Sequence, residues 1–393
     1  MIADATARPA GGRPPRDLSI QTLRGLACIL VVAFHVGGGT TTTGLQLTAD
    51  DPWSKLIASL VFLRMPLFAL LSGYVYALRP LRSGYPQFIK GKARRLLVPL
   101  LFVGTAFALF QSVAPGTNTP FTDEVPWYLW HIIPIRHFWF LESIFWVFLL
   151  VAILDRYRLL DRLATVVSVI VLAIVADGVV PEGNGALGFR GALYLLPFFV
   201  SGLAAYRFDW RSAPRSLKVA VLVTAVVLTA VTQLEVWGVT DVAGPRYGAV
   251  GAVLGICLCL ALLLTRWTAR PLVYIGAFSF VIYLVHPIGT AGVRYAMDRI
   301  GLESIALNMV VGIIGGLAFG IVVELIARRF RVTRFLVLGQ KYRTRPAVAG
   351  PPPNDASGPS SAAGPAGGAR LSQDAGKAGA NRGTAGSRQA SAE

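Results

Sequence analysis

The sequence predicts an all-α, polytopic membrane protein with about ten transmembrane helices and both termini cytoplasmic. Three observations carry that prediction. Of 393 residues, 54% are hydrophobic and 15% charged, too few polar side chains to cover a water-soluble globule of this size. The apolar residues gather into runs of about 20, the length a helix needs to cross a bilayer. Lys and Arg fall between these runs, alternately dense and sparse.

Residues 1–17 are polar and rich in Pro, Gly and Arg, without the ordered regions of a signal peptide, and read as a cytoplasmic N-terminal segment. Spans are predicted at 18–37, 56–78, 93–112, 138–154, 163–180, 187–206, 217–235, 246–265, 272–297 and 305–327, so that a transmembrane domain occupies 18–335. Residues 346–393 turn to Pro, Gly, Ala and Ser, a composition that buries too little apolar surface to offset chain entropy. A disordered cytoplasmic tail is expected there.

Orientation follows from the cations. The first, third, fifth, seventh and ninth inter-span segments hold 18 Lys and Arg, counting the N-terminus as the first, and the opposite set holds six: Lys55, Arg136, Arg190, Arg246, Arg294 and Arg299. Short cytoplasmic loops carry such an excess, which puts both ends inside a cell (inner or plasma) membrane. The net charge of +17 is therefore spread along the membrane face and argues against nucleic acid as a partner, leaving membrane lipids. Cys28, Cys257 and Cys259 lie inside apolar runs without the spacing of a zinc site, so neither disulfides, a metal nor a bound cofactor is expected.

Ionisable groups inside spans are costly and are the first candidates for chemistry. The first span holds Arg24 and His35, eleven residues apart, which places them within about 20° of one helix face and about 16 Å apart along the axis. Arg24 lies toward the cytoplasm, where it could simply snorkel. His35 lies near the outer surface, as an interfacial residue or as a general base taking a proton from a hydroxyl. His286 precedes Pro287, which removes a backbone hydrogen bond and invites a kink exposing the ring to a cavity. Lys90, Lys92, Arg94 and Arg95 gather at the cytoplasmic mouth of the third span, explained by topology or by a phosphate-bearing ligand. Arg64 and Glu142 are further embedded charges, and Glu324 is expected to pair with Arg328 four residues on.

Several segments together resemble the acyltransferase-3 family of integral membrane acyltransferases. They are Leu23-Arg24-Gly25-Leu26-Ala27 through Phe34-His35, Met65-Pro66-Leu67-Phe68 ending in Leu71-Ser72-Gly73-Tyr74, the basic segment ending at Pro99, Trp139-Phe140-Leu141, and Ser279-Phe280 through His286. The resemblance spans residues 17 to 335 and is that of a stand-alone member, like the exopolysaccharide O-acetylases, without the esterase-like domain some members carry.

The resemblance implies transfer of an acyl group, acetyl foremost, from cytoplasmic acyl-coenzyme A to a hydroxyl of an extracytoplasmic glycan or glycolipid. It implies that Arg24 and His35 are the essential pair, and that the basic segment meets the donor through an Arg-x-Arg motif. Here that motif reads Lys92-Ala93-Arg94, which keeps the charge but loses the planar fork at position 92, with Arg95 adjacent. Arg64 stands where relatives often have histidine. Glu142, His286 and Arg64 are the candidates for the acceptor side. His35 would act as base or carry the acyl group itself. Two other classes fit the same charges: a transporter or flippase of an anionic lipid-linked sugar, and a membrane scaffold that holds anionic lipids through its basic tail region.

Overall fold

Asp17 sets the start of the first helix, α1 (Leu18–Gly37): its carboxylate accepts from the amide of Ser19 at 2.9 Å and from that of Ile20 at 3.4 Å, filling donors a helix start leaves open. Gly38, at φ 89°, ends it. Asp51 caps α2 (Pro52–Ser59) in the same way, accepting from Trp53 at 2.8 Å. There follow α3 (Val61–Leu78), α4 (Tyr85–Val113), the single turn α5 (Phe121–Glu124), α6 (Trp139–Arg156), α7 (Leu163–Val179), α8 (Phe189–Arg207), α9 (Arg215–Val236), α10 (Ala249–Thr265), α11 (Arg270–Ala277), α12 (Ser279–Arg299), α13 (Ile305–Arg329) and α14 (Arg331–Leu336).

This computed structural model describes residues 17–341 except 79–83, 119–120, 182–184 and 241–247. The N-terminal segment through residue 16, the tail predicted at 346–393, and Arg79, Arg82 and Arg246 of the charge pattern lie outside the described residues. The chain divides into Met1–Arg343 and Thr344–Glu393, and every described residue belongs to the first unit.

Among the described residues, each of the ten predicted windows falls mainly on helix, and there is no strand beyond one isolated bridge between Trp130 and Ile133. Among the described residues, seven helical stretches are long and apolar enough to cross a membrane, Pro52–Leu78 and Arg136–Arg156 being two of them; α7 and α10 are apolar but shorter, at 17 residues each. The chain is a multi-pass membrane protein. In the ninth window, 272–297, the helix is not continuous: α11 and α12 are bent by 84° where they meet at Phe278, which makes the pair a broken span or a re-entrant loop. The reason is a close approach of backbones. A Cβ on Gly25 would collide with the carbonyl oxygen of Leu272, and one on Gly276 with that of Gln21, so α11 lies directly on α1 and leaves the axis of α12. Pro287, expected to kink its helix, lies inside an uninterrupted α12.

The same device joins α3 to α8. Gly73 faces the carbonyl of Phe199, and Gly202 faces that of Leu70, with no room for a methyl at either place. Around this crossing Leu67, Leu70, Leu71, Leu195, Phe198, Phe199 and Leu203 form the fully buried centre of the bundle. Outward, α9 shows Leu222, Val223, Val226 and Val227, and α7 shows Val171, Leu172 and Val175, the apolar exterior a lipid-facing helix requires.

Two of the buried carboxylates are paired with arginine. Arg190 of α8 meets the Asp177 carboxylate of α7 and also donates to the carbonyl of Asp177 at 2.7 Å and that of Pro181 at 3.2 Å. Arg328 meets Glu324 as the four-residue spacing predicts.

Candidate active site

Where α1 ends, the bundle opens into a cavity of about 1280 Å³, bounded by α1, the start of α3, the end of α4, α12 and α13. That exceeds the upper range of small-ligand pockets, so a sugar unit together with an acyl chain would fit. Its wall carries His35, His137 and Arg64, the aromatic rings of Trp139, Tyr194 and Tyr283, and at its mouth Thr40, Thr43, Asn118, Arg136 and Arg294. No carboxylate is among the described residues of that wall.

His35 is half-buried in the last turn of α1, where the helix brings its Nδ1 to 2.9 Å from the carbonyl oxygen of Val31. The same nitrogen lies 3.0 Å from Nε2 of His286, with ring centroids 4.6 Å apart. His286 is fully buried in α12, and its Nδ1 lies 2.9 Å from the Ile282 carbonyl oxygen and 3.0 Å from that of Tyr283. His137 completes a cluster of three imidazoles, 5.8 Å from the His35 ring and 5.4 Å from that of His286. A short 3₁₀ turn, Arg136–Phe138, delivers it just ahead of α6; its Nε2 lies 3.1 Å from the Leu284 carbonyl oxygen, and its own carbonyl accepts from the Tyr283 hydroxyl.

Arg64 is buried in α3 with its guanidinium carbon 4.0 Å above the Phe34 ring, a cation–π contact beside His35. At the mouth, Arg294 donates to the carbonyl of Gly44 at 3.0 Å, to the Asn118 side chain and to the carbonyl of Gly116. One guanidinium therefore ties the loop after α1 and the loop after α4 to α12.

The structure brings together His35, Arg64 and His286 of the residues singled out in the sequence, although His286 stands behind the cavity wall and not in it. Glu142 is also outside the wall, buried in the first turn of α6; neither carboxyl oxygen has a hydrogen-bond partner among the described residues. Arg24 lies on the other half of α1, half-buried, about 16 Å below His35 along the same unbroken helix. Toward that end Lys92 places its ammonium 3.3 Å from the Phe148 ring centroid, Arg94 donates from Nε to the Gly339 carbonyl at 3.0 Å, and Arg95 is exposed.

The family model for acyltransferase-3, described as an acyltransferase domain, matches residues 17–329, which takes in every helix from α1 to α13. The chain belongs to that family. Among individual relatives, the chain is 28% identical to the nodulation protein NolL of Sinorhizobium fredii over 42% of this chain and 44% of that protein. To NolL of Mesorhizobium japonicum it is 26% identical over 52% of each chain. It spans about half the length of these two curated relatives. It is also 22% identical to a probable poly-beta-1,6-N-acetyl-D-glucosamine export protein of Staphylococcus aureus over 83% of this chain and 97% of that one. No solved structure matches it.

His137 was not singled out by the sequence, because it falls one residue ahead of the window predicted at 138–154. Its signal was position: Ile135-Arg136-His137-Phe138-Trp139 leads directly into an apolar helix, and the apolar stretch observed, Arg136–Arg156, takes His137 in.

Proposed function

We propose that this acyltransferase moves an acyl group, acetyl foremost, from cytoplasmic acyl-coenzyme A to a hydroxyl of an extracytoplasmic glycan or glycolipid at a cell membrane. The observation that carries the reading is His35 on the wall of a large cavity, beside Arg64 and below a mouth of threonine, asparagine and arginine side chains. Aromatic faces such as Trp139 and Tyr194 suit a sugar ring, and hydroxyl and amide groups suit its substituents.

In the proposed step the acceptor oxygen attacks the thioester carbonyl carbon while His35 takes the hydroxyl proton. The tetrahedral intermediate collapses with breakage of the carbon–sulfur bond, and the imidazolium returns its proton to the coenzyme A thiolate. The ester leaves toward the outside and the free thiol toward the cytoplasm. Arg64 stabilises negative charge on the tetrahedral oxygen or on the acceptor. Lys92, Arg94 and Arg95 meet the donor's phosphates, and Arg24 lies between them and His35 on the path of its acyl arm.

The test is acyl transfer by purified protein in lipid nanodiscs with labelled acyl-coenzyme A and isolated envelope glycans. His35→Ala is expected to abolish product at normal membrane abundance, and Lys92→Ala with Arg94→Ala to raise the KM for the donor before kcat falls. Full activity in His35→Ala refutes the assignment.

Export of a polysaccharide is a second reading, favoured by the staphylococcal relative, which aligns over nearly its whole length. An exporter moves glycan into vesicles without acyl-coenzyme A and leaves its mass unchanged. The proposed enzyme adds one acyl mass and releases one thiol per turnover.

A further inference from the structure

We infer that His286 is a positioning residue that holds His35 in one neutral form, with hydrogen on Nδ1 and the basic lone pair on Nε2. The inference depends on the reading of His35 as base for its consequence, while the hydrogen-bond chain behind it stands on geometry alone.

The chain starts at Pro287. A proline has no amide hydrogen, so the Tyr283 carbonyl, four residues earlier in α12, loses its helical donor. His286 fills that position, with Nδ1 3.0 Å from the Tyr283 oxygen and 2.9 Å from the Ile282 oxygen. Carbonyl oxygens only accept, so in neutral His286 the hydrogen is on Nδ1 and Nε2 carries a lone pair. That lone pair lies 3.0 Å from His35 Nδ1. His35 Nδ1 therefore faces two acceptors, His286 Nε2 and the Val31 carbonyl at 2.9 Å, and must carry the hydrogen itself. A neutral imidazole has one hydrogen, which leaves His35 Nε2 unprotonated.

This is the form a general base needs if the acceptor approaches Nε2. Free neutral imidazole side chains favour the opposite form, with hydrogen on Nε2, which cannot accept a proton there. The Pro287–Tyr283–His286 relay thus selects the competent form before substrate arrives, the service a hydrogen-bond partner performs for catalytic histidines generally. His137 packs edge-on against both rings and keeps them from turning over, with ring planes inclined 73° to His35 and 67° to His286. The arrangement also explains why His286 lies outside the cavity wall while touching the residue that lines it.

The experiment uses full-length protein labelled with ¹⁵N at histidine in lipid nanodiscs, read by NMR above the titration range of the imidazoles. His35 is identified by the signal lost in His35→Asn. In wild type, His35 is expected to show a hydrogen-bearing Nδ1 and a bare Nε2. In His286→Leu, one of its two acceptors is gone; the two forms of His35 mix, and kcat falls about tenfold, what one neutral hydrogen bond is worth, with the acceptor KM unchanged. His286→Gln, whose amide oxygen accepts from Nδ1, is expected to retain the wild-type form and most of kcat.

Hydrogen on Nε2 of wild-type His35 overturns the inference and leaves acyl transfer standing. Wild-type spectrum and kcat in His286→Leu overturn the role of His286. Full activity in His35→Asn overturns the acyl-transfer reading and leaves the hydrogen-bond assignment intact. Where His286→Leu fails to accumulate, the wild-type spectrum and His286→Gln decide the question.

Discussion

Replacing His35 by asparagine separates chemistry from structure more sharply than replacing it by alanine. The amide of asparagine reaches the place of the ring's Nδ1, so it can still donate to the Val31 carbonyl and to His286, contacts of 2.9 and 3.0 Å in the native protein. What it lacks is any atom at the place of Nε2. Alanine removes both donor contacts and leaves the buried His286 lone pair unsatisfied, a cost of about 1–3 kcal/mol in stability. Asparagine is expected to stay within about 1 kcal/mol of wild type, because one neutral hydrogen bond contributes no more than that order. General base catalysis contributes about 10²–10⁴-fold, or about 3–5 kcal/mol at the transition state. The assays are thermal stability by fluorescence-detected size exclusion and single-turnover acyl transfer with saturating donor. Expected is a wild-type melting curve with a rate lowered by at least about a hundredfold. A rate within about threefold of wild type in His35→Asn would refute the reasoning.

Four other single substitutions test the frame that carries the site. Arg190→Ala leaves the buried Asp177 carboxylate without its cation and is expected to destabilise the protein by about 3–5 kcal/mol, with partial recovery when Asp177 is also replaced by alanine; melting of the detergent-solubilised variants checks both. Gly73→Ala drives a methyl into the Phe199 carbonyl and is expected to cost more than the usual about 1–3 kcal/mol of overpacking, whereas Gly91→Ala, with open space around it in α4, raises stability by about 0.5–1 kcal/mol. Arg294→Ala unties three segments at the cavity mouth, so hydrogen exchange within residues 38–46 and 114–118 is expected to quicken at least about tenfold while exchange in α8 stays unchanged.

Hydropathy located every long helix because a bilayer demands an unbroken apolar run, and that demand is written residue by residue. It missed the break at Phe278 because a sliding window averages over direction: α11 and α12 are together apolar enough for a span despite the 84° turn between them. The cause of the turn was present in Gly25 and Gly276, but each glycine has meaning only once the two helices are known to touch. The same holds for Leu71-Ser72-Gly73-Tyr74, whose glycine serves the α3–α8 contact. At the site, His35 and Arg64 were legible as costly charges in apolar surroundings. That His286 serves His35, and that His137 joins them from just outside the predicted window, depends on which rings meet across 251 and 102 residues of chain, and no local pattern encodes such meetings. The Pro287 signal was read in the right place, but the ring it was expected to expose is fully buried, with its Nδ1 against the carbonyl that the proline orphans.

The contact between Arg94 and Gly339 fixes how short this chain can be made. Gly339, in a left-handed turn at φ 57°, rests on the backbone of Arg94 and Arg95, and Val337 and Leu338 just before it are buried. Truncation at Arg343 keeps that seat. Truncation at Leu336 strips an acceptor from Arg94 and uncovers apolar surface on α4, so loss of activity in such a shortened protein would report a damaged donor side and say nothing about the residues from 344 onward.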